Sequence, residues 1–158
     1  MTASATVPAT HGSFTIDRHF DAKPERVFKA FADGDAKKRW FAGPHGWEQT
    51  ERSFDFRVGG IEIVAGKWPD GGSSRFTCRY EDIVPGERIV YSYHMHFGGQ
   101  HISISLATIE VVPDGAGTKL TFTEHVTYIN GYEDPCAANR KQGSEFLLDM
   151  VGASLKED

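Results

Sequence analysis

Two ionisable residues fall where the alternation of a strand turns them inward. Arg18 shares the parity of Phe14, Ile16 and Phe20, and Glu124 shares that of Leu120, Phe122, Val126 and Tyr128. A charge among apolar side chains needs a partner, because moving it out of water unpaired is very costly. Freed from a purely structural pairing, a guanidinium so placed can orient a carboxylate or carbonyl, and a carboxylate can act as acid or base. Tyr91 and Tyr93 add phenol hydroxyls to an aromatic wall. His94, His96 and His101 flank Gly98 and Gly99. If these glycines make a two-residue turn, His96 pairs with His101 and His94 lies on the same face, opposite that of Tyr93 and Met95. Three imidazoles so close could share a metal ion. They face solvent, however, with no carboxylate placed to orient them, so the expectation is no metal and no cofactor. If Asp134 caps and Pro135 opens the last helix, Cys136 sits in its first turn, where the dipole favours a thiolate; no histidine accompanies it, and a free thiol is expected. There is no phosphate-binding glycine loop, no Cys-x-x-Cys and no Gly-x-Ser-x-Gly, so nucleotide use and the familiar hydrolase chemistries have no support.

The element that organises these residues is the last one. From Arg140 to Leu155, at about 100° per residue, Phe146, Leu147, Leu148, Met150, Val151, Ala153 and Leu155 cover well over half of a helix circumference. An arc that wide suits a helix gripped in the hollow of a curved sheet. Gly143 and Gly152 then mark close approach of a backbone or a ligand.

Earlier in the chain, Ser13 to Phe20 reads as a strand. Pro24 opens a short helix through Val27, Phe28, Ala30 and Phe31 to Asp33, and a second runs from Asp35 to Trp40 before Phe41, Gly43 and Pro44 stop it. The remainder up to Tyr128 reads as antiparallel strands. Phe54, Phe56 and Val58 turn at Gly59 and Gly60 into Ile61 and Ile63, then come Phe76, Cys78 and Tyr80, the turn at Pro85 and Gly86, and the run Ile89, Tyr91, Tyr93, Met95 and Phe97. With a turn at Gly98 and Gly99, Met95 is expected opposite Ile102, with Ile104 and Leu106 on the same buried face. The expected order is strand, two short helices, about six further strands and a long helix, an α+β layout of about seven antiparallel strands. One helix covers so many strands only if the sheet curls around it, which leaves a space the short helices can close.

Length and charge narrow the function classes. A chain of 158 residues suits one domain, and the formal charge of −5 with no basic block leaves no footprint for nucleic acid. No apolar run approaches the roughly 20 residues that cross a bilayer, so no membrane insertion is expected. Two cysteines without a signal peptide suit a reducing, cytoplasmic setting. Residues 1–12, rich in Ala, Thr and Pro, read as a disordered leader, and 13–158 as a single domain.

The run Arg18, His19, Phe20, Asp21, Ala22, Lys23, Pro24, Glu25, Arg26, Val27 and Phe28, followed by Trp40, Phe41, Gly43 and Pro44, resembles the start of the activator of heat-shock-protein-90 ATPase homologue family. That family belongs to the START-like, or SRPBCC, superfamily, with the birch-pollen-allergen fold. Gly59 and Gly60, the turn Pro85 to Arg88, Gly117 with Thr118, and the ending Arg140, Gly143, Leu147 and Leu148 are similar too. The resemblance implies a helix-grip fold, a sheet wrapped around the C-terminal helix with a cavity often used for apolar small molecules. It also implies that the strands of Arg18 and Glu124 are neighbours, so that these charges meet inside. It does not imply one activity. The eukaryotic co-chaperone uses a separate N-terminal domain for chaperone binding, so chaperone activation is not expected.

The leading expectation is binding of a small apolar or amphipathic molecule by a cavity of Phe14, Arg18, Phe54, Phe56, Tyr91, Tyr93, Met95, Leu106, Phe122, Glu124 and Met150. The same positions are compatible with a packed core. Two other readings stay open: an enzyme resembling polyketide cyclases and dehydratases, with Arg18, Glu124 and the tyrosines positioning a hydrophobic substrate, and a protein-interaction module docking through Trp40, Phe41 and the outer sheet face. An exposed edge strand leaves a homodimer possible.

Overall fold

The alternating segments pair into one antiparallel sheet in the computed structural model, which describes residues 7–43, 46–131 and 137–156, with side chains of the last segment from Arg140 onward. The strands are β1 (Thr10–Phe20), β2 (Glu48–Phe54), β3 (Ile61–Lys67), β4 (Ser73–Val84), β5 (Arg88–Phe97), β6 (Gln100–Asp114) and β7 (Gly117–Tyr128). Their order is β1-β7-β6-β5-β4-β3-β2. Consecutive strands from β2 to β7 are therefore neighbours, and β1 joins the far edge along β7. The helices α1 (Pro24–Ala32) and α2 (Gly34–Lys38) connect β1 to β2, and α3 (Ala137–Leu155) ends the chain. This is the α+β helix-grip architecture, a curved seven-stranded sheet with a long C-terminal helix. Strand β1 begins at Thr10 and so takes in the last residues of the expected leader.

Local chemistry explains the joints. Pro24 stands in the first turn of α1, where its missing N–H costs nothing, and Val27, Phe28, Ala30 and Phe31 form the buried face. Gly98 and Gly99 have φ of 57° and 81°, the pair of left-handed conformations a two-residue hairpin turn needs, and Phe97 faces Gln100 across it. Just beyond, the register slips between Met95 and His96, so Met95 faces Ser103 instead of Ile102. The inward set of β6 is consequently Ser103, Ser105, Ala107, Ile109 and Val111. Leu106, expected on the buried face, stands on the outer one, 45% exposed. One inserted residue inverts the parity of everything after it. Strand β3 is inverted too: Ile61 is exposed, while Glu62 and Val64 point inward.

The core joins Ile16 and Phe20 of β1, the buried face of α1, the inward faces of β4 to β7, and Leu148 and Val151 of α3. The grip on α3 is narrower than its apolar arc. Phe146 and Met150 lie outside, Phe146 at 63% exposed. A β-carbon on Gly152 would lie 3.2 Å from the Phe20 ring, whereas one on Gly143 would meet nothing. Of these two glycines, only Gly152 marks a close approach.

Candidate ligand cavity

A cavity of about 450 Å³ lies between the sheet, α3 and the segment that follows α1. Phe31, Lys37, Trp40 and Phe41 close one side. The floor comes from Val64, Phe76, Tyr80, Ile89, Tyr91, Tyr93, Met95, Phe97, Ile109, Phe122 and Glu124, while Arg140, Gly143, Ser144, Leu147 and Leu148 face them from α3. Ring contacts knit this wall together. Phe41 meets Phe76 with centroids 5.1 Å apart, Phe76 meets Tyr93 at 5.1 Å, and Tyr80, Tyr91 and Tyr93 follow one another at 6.1 and 5.9 Å. Trp47, also in the wall, packs where Gly43 and Gly66 make room: a β-carbon on either would come within 2.1 Å of its ring.

Two buried ionic clusters interrupt the apolar lining. In the first, Glu124 Oε2 accepts from Tyr93 Oη at 2.7 Å and Ser105 Oγ at 2.9 Å, with Arg140 Nη1 at 3.4 Å. Arg140 also donates to Tyr93 Oη and Ser103 Oγ, both at 3.0 Å. Glu124 Oε1 is buried and has no hydrogen-bond partner among the described residues. Burial pushes the Glu124 carboxyl above the usual range, partly offset by the Tyr93 hydrogen bond and the Arg140 charge. The Tyr93 hydroxyl is likewise raised, by burial and then by the Glu124 charge.

In the second cluster, Lys37 Nζ lies 2.6 Å from Glu62 Oε1, which also accepts from Tyr80 Oη at 2.7 Å. The ammonium is 5.0 Å from the centroid of Phe41 and 5.4 Å from that of Phe54. Burial and the Glu62 charge raise the Tyr80 hydroxyl, keeping it a neutral donor. Cys78 beside it is pushed up to about 12 by burial, so its thiol is inert at neutral pH.

Of the residues read from sequence, Tyr91, Tyr93, Met95, Phe122 and Glu124 line the cavity. Phe14 packs behind Phe122 at 6.1 Å between centroids, and Phe54 and Phe56 stack on each other and edge onto Tyr80 from behind. Leu106 and Met150 are outside. Arg18 does not meet Glu124. β1 and β7 do pair, but their register sets Arg18 against Leu120 and Phe14 against Glu124, and Arg18 reaches Asp149 of α3 at 3.5 Å. The cation that does meet Glu124 is Arg140. The sequence pattern does not mark Lys37, Glu62 or Tyr80 as site residues. Tyr80 had inward parity, but Glu62 was hidden by the apparent alternation of Ile61 with Ile63, and Lys37 by a polar stretch that shows no period.

His96 pairs with His101 and stacks on it with centroids 4.6 Å apart, while His94 Nδ1 faces His101 Nε2 at 2.9 Å. Among the described residues no group of three or more His, Cys, Asp and Glu side chains is arranged to hold a metal ion. Cys136, Asp134, Pro135 and Pro44 lie outside the described residues. Trp40, expected on a docking surface, is buried, with its indole N–H bonded to the Ala30 carbonyl at 2.8 Å, and Phe41 faces the cavity. No helix among the described residues is long and apolar enough to cross a membrane.

Comparison with known proteins agrees with this architecture. Functionally curated proteins give no match. Among solved structures, the Mll3558 protein from Rhizobium loti is 40% identical, with a TM-score of 0.86 over 94% of this chain and 99% of that one. An uncharacterised protein from Rhizobium leguminosarum is 38% identical, with a TM-score of 0.89 over 96% and 98%. An AHSA1-like protein from Aeromonas hydrophila, 19% identical, shares the fold with a TM-score of 0.68 over 92% of each chain. The family model for activator of Hsp90 ATPase homolog 1-like proteins matches residues 21–155, which takes in α1 to α3 and both ionic clusters, and the chain belongs to that family.

Proposed function

We propose that this protein binds a small apolar or amphipathic molecule between the curved sheet and α3. The observation that carries the reading is the combination of an aromatic cavity of about 450 Å³ with buried polar groups in its wall, one of which, Glu124 Oε1, lacks a partner among the described residues. A core that only had to be stable would fill that volume and satisfy or omit the carboxylate. Cavities of this size and lining suit small ligands, with a few polar groups fixing orientation. The test is a fluorescence titration with the apolar probe N-phenyl-1-naphthylamine. Saturable binding is expected in the wild type and its loss in Leu147→Trp, which fills the cavity from α3. Met95→Trp, filling it from β5, serves as a second blocking variant if the first unfolds. Binding unchanged in a folded blocked variant would contradict the reading.

The same Glu124 favours one second reading, an enzyme acting on a hydrophobic substrate in the manner of the polyketide cyclases. A buried carboxylate with a raised proton affinity and one uncommitted oxygen is equipped to take or give a proton. Turnover of a bound compound, abolished by Glu124→Gln with binding retained, separates catalysis from retention.

A further inference from the structure

Resting on the ligand-binding reading above, we infer that the occupant of this cavity is electrically neutral, offering a hydrogen-bond donor to Glu124 and an acceptor to Lys37. Lys37 is matched by Glu62 at 2.6 Å and Arg140 by Glu124 at 3.4 Å, and all four side chains are largely buried. Each pair is neutral as a unit. An anionic head group would find no uncompensated cation in either cluster and would meet a carboxylate behind each one. In an apolar surrounding such an uncompensated charge is strongly disfavoured. A cationic ligand meets the converse obstacle at Lys37 and Arg140.

The hydrogen-bond inventory then sets the polarity of the two ends. Glu124 spends Oε2 on Tyr93, Ser105 and Arg140 and leaves Oε1 unpartnered, in a side chain with no exposed surface that nevertheless borders the cavity. An ionised carboxylate only accepts, so an O–H or N–H of the ligand completes it. Lys37 has three N–H donors and commits two of them, to Glu62 and to Tyr80 at 3.3 Å, leaving one over for a ligand carbonyl or ether oxygen; Glu62 Oε2 is also buried without a partner among the described residues, but Glu62 does not line the cavity. Tyr91, between Tyr80 and Tyr93 in the ring series, makes no side-chain hydrogen bond among the described residues. The wall between the two polar ends is thus aromatic, which suits a flat ring system.

The experiment compares two probes with the same anilinonaphthalene skeleton and the same N–H donor. N-phenyl-1-naphthylamine is neutral, and 8-anilinonaphthalene-1-sulfonate carries one negative charge. The neutral probe is expected to bind at least tenfold more tightly to the wild type. Glu124→Gln and Glu62→Gln each remove a negative charge at nearly constant shape, and each is expected to narrow that ratio at least fivefold by making the potential in the cavity more positive. A preference due only to hydrophobicity would persist unchanged in both variants, and that result overturns the inference. Equal or tighter binding of the sulfonate by the wild type overturns it as well, while leaving the cavity reading intact. If neither probe binds the folded wild type, the cavity reading fails first, and the inference falls with it.

Discussion

Glu124 holds its hydrogen bonds on one oxygen only, and the burial of its carboxyl couples its titration to stability. Burial raises its carboxyl above the value it has in the unfolded chain, about 4.3. The native state therefore binds the proton more tightly than the unfolded state does. The resulting stabilisation is complete below the unfolded value and is lost as pH rises through the higher folded value. Urea unfolding at a series of pH values should accordingly show the wild type losing stability relative to Glu124→Gln from about pH 4.3 upward; parallel curves would mean that Glu124 titrates normally. Lys37 makes a complementary case. Lys37→Met strands Glu62 and should cost about 3–5 kcal/mol, whereas the triple change Lys37→Met, Glu62→Leu, Tyr80→Phe should recover most of that loss. If the triple variant is as unstable as the single one, the cluster is holding the fold together through more than its charge balance.

At the scale of elements, what could be read in the sequence depended on unbroken periodicity. The long alternation in β5 and β7 placed Tyr91, Tyr93, Met95, Phe122 and Glu124 at the cavity, because two-residue periodicity survives wherever the ladder is regular. It failed at β6, where the slip beside Met95 reverses the faces, and at β3, where Glu62 is inside and Ile61 outside. Pairings between distant segments were harder still: Lys37 and Glu62 are 25 residues apart and belong to a helix and a strand, and Arg140 reaches Glu124 only through the placement of α3. The reversed parity has a direct consequence for stability. Leu106→Ser should change unfolding free energy by no more than about 0.5 kcal/mol, while Leu120→Ala, at a position with no exposed surface, should cost about 2–5 kcal/mol. Equal costs would contradict the assigned faces. In α3, Gly143 has open space where a β-carbon would stand, so Gly143→Ala should add about 0.5–1 kcal/mol in the same assay. A loss instead would show that the helix needs that glycine for close packing.

On the scale of the whole molecule, the sheet order explains why a cavity exists at all. β1 pairs with β7 and β2 stands at the other edge, so the curved sheet stays open on the side that α1, α2 and the residues after them cover. Leu148 and Val151 anchor α3 in the core, and the turns of α3 before them, at Gly143, Ser144 and Leu147, border the space left over. Element order announced this architecture because a single helix cannot cover seven strands without leaving room. Its polar furnishing arises from long-range contacts that no local pattern records.

Uptake of a ligand into this space can be followed by an amide and indole NMR titration of the ¹⁵N-labelled protein with N-phenyl-1-naphthylamine. Saturable shifts are expected at the indoles of Trp40 and Trp47 and at the amides of Tyr91, Tyr93 and Gly143, with the outer-face residues His94 and Leu106 little changed, and no such pattern in Leu147→Trp. Shifts centred on the outer sheet face, or on Phe146 and Met150 at the back of α3, would place binding elsewhere and contradict ligand uptake by the cavity.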